Sequence, residues 1–90
     1  METIYMDDFL DNGILREESF RKSVDEIDWS RYREKRVLIK GCSEAPVPTW
    51  AYLILTAKLV PYADRILYGE PCTSVRIFDR LRDKPARLKN

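Results

Sequence analysis

Two cysteines occupy matching places in this chain. Cys42 follows the apolar run Val37-Leu38-Ile39 inside Gly41-Cys42-Ser43, and Cys72 follows Arg65-Ile66-Leu67-Tyr68 inside Gly69-Glu70-Pro71-Cys72. If both runs are strands lying parallel in one sheet, both thiols emerge at the same sheet edge. Open parallel sheets gather ligands there, beyond the carboxyl ends of the strands. The same edge would hold Thr49, at the start of a helix, with Ser43, Thr73 and Ser74 as hydroxyl donors. A helix N-terminus offers free N–H groups and partial positive charge, so it can hold an anion or favour a thiolate. The candidate ligand-binding set is therefore Cys42, Ser43, Thr49, Cys72, Thr73 and Ser74. The opposing explanation is that the thiols are small hydrophobes packed under loops. Catalytic residues are not identified by these patterns.

Other chemistries fit less well. The chain has no histidine, so a serine triad is excluded unless lysine replaces the base. Two thiols fall short of a zinc tetrahedron, and no metal or cofactor is expected. Redox C-x-x-C spacing is absent. Gly41 to Pro48 lacks the glycines and lysine of a phosphate loop. Glu44 and Glu70 could form a carboxylate pair at the same edge, although loop glutamates are usually just solvated.

The elements that must position these residues can be read from periodicity. Val37-Leu38-Ile39 lacks polar alternation, as expected of a strand covered on both faces. Pro46 and Pro48 push the residues before them toward extended geometry, and a helix follows from about 48 to 60, with Pro48 at its first position or Thr49 as its cap. That helix carries Trp50, Ile54, Leu55 and other apolar residues on nearly every side, so it should be buried on more than one side. Upstream, Met6, Phe9 and Leu10 suit a short helix stopped by Asn12-Gly13. Residues 16–27 suit a longer one, with a Phe20, Val24, Ile27 stripe and i, i+4 pairs Glu17–Arg21 and Glu18–Lys22. Trp29 and Tyr32 should cap the core. Val75 to Phe78 suits a short edge strand. The expected architecture is α/β: one small domain over 1–82, with parallel strands near 36–41 and 65–69 joined by the buried helix, and one or two helices ahead. Residues 83–90 form a basic tail.

Ninety residues make one domain with a modest core. Sixteen basic and fifteen acidic residues nearly balance, but not evenly. Residues 1–30 hold nine acids against three bases, and 76–90 hold six bases against two acids. Such asymmetry suits charge complementarity between copies as well as a nucleic-acid surface. The acidic N-terminus lacks a signal-peptide pattern, and no apolar stretch is long enough to span a bilayer. Cytoplasmic location with reduced cysteines is the expectation.

The string GCSEAPVPTWAYLILTAKLVPYADRILYGEPCTSVRIFDR, with the upstream GILREESFRKSVDEIDWSRYREKRV, resembles an uncharacterised bacterial family, the domain of unknown function two-four-eight-zero. G-C-S, V-P-T-W-A-Y and G-E-P-C in that order carry the resemblance. It implies that Cys42 and Cys72 belong to a recurring pattern. It also implies that longer relatives carry this unit twice, so that two copies of the present chain would do what two repeats do there. It implies no activity or substrate.

The apolar helix and the single unit together predict a homodimer with Trp50, Ile54 and Leu55 in its interface. At about 25 cal/mol per Å² of apolar area, covering a few more large side chains contributes on the scale of a small domain's whole stability. The expected function is a homodimeric binding or interaction module. The alternative is a thiol-dependent or small-anion-binding enzyme using the strand-end cysteines. Nucleic-acid binding through the tail and Arg31, Arg33, Lys35 and Arg36 has the least support, and no membrane partner is expected.

Overall fold

Val37, Leu38 and Ile39 lie at the centre of a four-stranded sheet in the computed structural model, which describes residues 1–41 and 45–82. The strands are β1 (Glu2–Tyr5), β2 (Arg36–Lys40), β3 (Arg65–Tyr68) and β4 (Val75–Asp79), in that spatial order. Helix α1 (Glu17–Asp25) connects β1 to β2, and α2 (Thr49–Leu59) connects β2 to β3. The expected parallel pairing of β2 and β3 is present, with Leu38 opposite Leu67 and Ile39 opposite Tyr68. β4 returns antiparallel and forms one edge.

The N-terminus goes beyond the sequence reading. Glu2–Tyr5 pairs parallel to β2, and the short helix expected near Met6 is a single 3-10 turn over Met6–Phe9. Asn12 and Gly13 then take positive φ of 54° and 79°, bringing the amides and carbonyls of Asp11 and Ile14 into two mutual hydrogen bonds. Positive φ at both central residues defines the tight turn that Asn-Gly favours.

Both helices cover the same face. Successive right-handed crossovers that step one strand along in one direction leave their helices on one side. The core agrees. Phe20 and Val24 of α1 and Ala51, Leu55 and Leu59 of α2 cluster with Ile4, Val37, Ile39 and Ile66. Leu38, only 1% exposed, stands outside that cluster on the opposite face. α1 has Glu17 and Glu18 in its first turn and Lys22 in its last, the arrangement that complements its dipole. Glu17 accepts from Arg21 at 2.9 Å, while Glu18–Lys22 is not among the ion pairs of the described residues. Trp29 donates to the Val24 carbonyl at 3.0 Å, closing the C-terminal turn of α1 and covering the core as expected.

The apolar helix α2 sits on the sheet through one stripe. Ala51, Leu55 and Leu59 recur every four residues and are fully buried. Leu53, on the other side, is 63% exposed. Its C-terminus is held by Arg80 at the end of β4. The Arg80 guanidinium donates to the carbonyls of Val60 and Ala63 and lies 3.7 Å from Asp64. Carbonyls left over at a helix end are thereby satisfied.

Candidate functional site

The carboxyl ends of β2 and β3 come together as the sequence suggests. The Gly69 amide donates to the Ile39 carbonyl at 3.1 Å, and Gly41 lies directly beyond β2. A side chain at Gly41 would put its Cβ 2.9 Å from the Tyr52 hydroxyl, so the Tyr52 ring would have to shift to admit one. Thr49 begins α2 with an exposed side chain, after Pro48 as the capping residue. Thr73 closes the β3–β4 turn, its amide donating to the Glu70 carbonyl at 3.0 Å. Cys72 is a free, exposed thiol on that turn, and Ser74 is half-buried beside it. Cys42 and Ser43 lie outside the described residues, as does Glu44.

What the edge does contain is an apolar groove. It has a volume of about 450 Å³ and runs between α2 and the β3–β4 hairpin. Its walls are Val47, Tyr52 and Leu53 on one side and Ile39, Tyr68 and Ile77 on the other. Among the described residues of the predicted ligand set, Thr49 is the one on its lining. The Tyr52 and Tyr68 rings meet edge to face at 4.8 Å, a favourable aromatic geometry. Hydroxyl-bearing lining residues are Thr49, Tyr52, Thr56 and Tyr68, and the Thr56 hydroxyl already donates to the Tyr52 carbonyl at 2.8 Å.

The groove lies open to water between α2 and the β3–β4 hairpin. Leu53, Tyr68 and Ile77 are 63%, 40% and 47% exposed, and Val75, in register with Tyr68, is 57% exposed. Monomeric proteins rarely leave large side chains of this kind side by side in water. The predicted interface residues divide differently. Leu55 is fully buried within the chain itself and has no surface to offer. Trp50 is half-buried against Phe20, ring centroids 5.6 Å apart, and Ile54 is also half-buried. Among the described residues Met1, Tyr5, Ile14 and Leu81 are exposed as well, but the large apolar side chains exposed at and beside the groove are Leu53, Tyr68, Val75 and Ile77. Apolar Val75 and Ile77 flanking Arg76 hinted at them; nothing in an all-apolar helix singled out Leu53.

Electrostatics concentrate at the other end of the strands. Asp79 is 2% exposed. Burial pushes its carboxyl up, but the Leu81 amide, the Arg65 guanidinium and the Arg82 amide together outweigh it and hold it below the usual carboxylate value. Arg65 Nε donates to its Oδ2 at 3.2 Å and the guanidinium lies 3.1 Å away as an ion pair, so a buried acid is paired, as burial requires. This is a structural lock joining β3 to β4.

The model of one protein family, described as Protein of unknown function (DUF2480), matches residues 15–80. No curated protein and no solved structure matches the chain. No helix among the described residues is long and apolar enough to cross a membrane.

Proposed function

The chain belongs to the DUF2480 family, and from that premise we propose that it works as a homodimeric interaction module, joined through the apolar groove of α2 and the β3–β4 hairpin. One observation carries this reading: Leu53, Tyr68, Val75 and Ile77 stand exposed together. Two properties of the patch favour a second copy as the occupant. It is made of uncharged side chains, and a two-fold interface needs a surface complementary to itself. The chain is also small enough for association to add materially to its stability. A cytoplasmic setting suits the exposed free thiol of Cys72, since reducing compartments keep such thiols single.

Multi-angle light scattering at micromolar concentration tests the reading. The expected mass is twice 10.7 kDa. Leu53→Asp should give a folded monomer, because that side chain supports nothing inside the chain. A wild-type monomer at tens of micromolar overturns the proposal.

A further inference from the structure

Helices α1 and α2 occupy one face of the sheet, and no helix among the described residues lies on the other. Strand alternation decides what that second face shows. Ile4, Val37, Ile39 and Ile66 belong to the helix side. Their neighbours Tyr5, Arg36, Lys40 and Arg65 therefore point the other way, joined by Arg76, which is in register with Leu67. Four cations thus share this face with one acid, Asp79, which Arg65 already holds.

Arg36 and Arg65 are register partners on β2 and β3, and like charges set opposite one another destabilise a sheet. Neither Arg36 nor Arg76 enters an ion pair among the described residues. Lys40 lies 3.7 Å from Glu70, whose side chain is 62% exposed; exposed pairs of this kind contribute little and yield to a phosphate. At the β1 side of the face stands the Tyr5 ring, 46% exposed, with the Lys40 ammonium 5.8 Å from its centre.

We propose that this face binds single-stranded nucleic acid, with its cations following the phosphates and Tyr5 stacking on a base. Basic side chains beside an aromatic platform are what such ligands use, and an open four-stranded sheet is a surface on which unpaired bases can lie. The chain carries a net charge of only +1, so it attracts polyanions through this local array rather than as a whole. An anionic membrane fits less well. It asks for apolar side chains that reach into it, whereas Leu38 is 1% exposed and Leu67 half-buried. The set shares only Arg36 with the basic group read from the sequence. It lies across the sheet from the apolar groove, so it does not depend on the dimer.

Fluorescence anisotropy of the full chain tests this, with a labelled oligothymidylate strand about 16 nucleotides long, at the upper end of single-strand site sizes. The expected result is saturable binding that weakens with salt, with a log–log slope of about −0.7 for each phosphate neutralised. Arg36→Gln and Arg76→Gln should each weaken binding several-fold and make that slope shallower. Tyr5→Leu should weaken it about fivefold or more and leave the slope unchanged. Lys22→Gln removes the same charge from α1, on the helix side, and should change affinity by less than about twofold. Circular dichroism melts check that each variant is folded. No saturable binding at low salt overturns the proposal. So does unchanged affinity in both arginine variants, a loss with Lys22→Gln equal to that with Arg76→Gln, or equally tight binding to a duplex of the same length. Binding to phosphatidylserine vesicles but not to the oligonucleotide also overturns it, in favour of a membrane.

Discussion

Leu53 and Leu55 are two positions apart on one helix and have opposite roles. Leu55 is enclosed by the chain's own core, whereas Leu53 faces out beside the groove. Removing a buried leucine costs lost transfer energy plus the cavity left behind, so Leu55→Ala should lower unfolding free energy by about 2–5 kcal/mol. Leu53→Ala should change the stability of the monomer by no more than about 0.5 kcal/mol. Urea unfolding of both variants, at concentrations low enough to hold the chain monomeric, measures the difference directly. Equal losses would mean that the exposed side of α2 is not where the structure puts it.

At the scale of elements, the β3–β4 hairpin depends on Gly69. Its φ is +120°, a region that other L-residues rarely adopt. The space around it is ordinary: an added Cβ would sit 3.5 Å from Ser74 Cα. Gly69→Ala should therefore act through backbone strain, costing about 1–3 kcal/mol. The hairpin forms one wall of the groove, so the same substitution should weaken self-association. Circular dichroism melts and light scattering on one sample would show both effects. The loop between β2 and α2 was legible only in outline, since prolines declare an extended approach but not where it leads.

For the molecule as a whole, acid sensitivity follows from two carboxyls. Asp28 accepts from the Ser30 hydroxyl at 2.6 Å and the Ser30 amide at 3.2 Å. These bonds, first the hydroxyl and then the amide, hold it below its ordinary value of 3.8. Asp79 is held below the same value. A carboxyl with a lowered folded pKa contributes stability that is complete above the unfolded value and is lost as pH falls through the folded one. Melting temperature should therefore be level at mildly acidic pH and decline below about pH 4. Asp79→Asn should lower the plateau and flatten that decline; an unchanged slope would show that Asp79 is not a contributor.

The sequence by itself determined the local elements around the crossover. A β-branched run, a proline pair and a long apolar helix closed by Pro61 admit little besides strand, crossover and parallel strand, because each signal acts on the backbone within a few residues. It also marked Trp29 and Tyr32 as core covers. Tertiary structure alone decided that Glu2–Tyr5 joins the sheet, since a four-residue strand has no periodicity to read and is stabilised by its neighbour. It alone decided which side of α2 is buried. A helix apolar on every side carries no directional signal, and only the seating of Ala51, Leu55 and Leu59 on the sheet left Leu53, Tyr68 and Ile77 as the exposed rim.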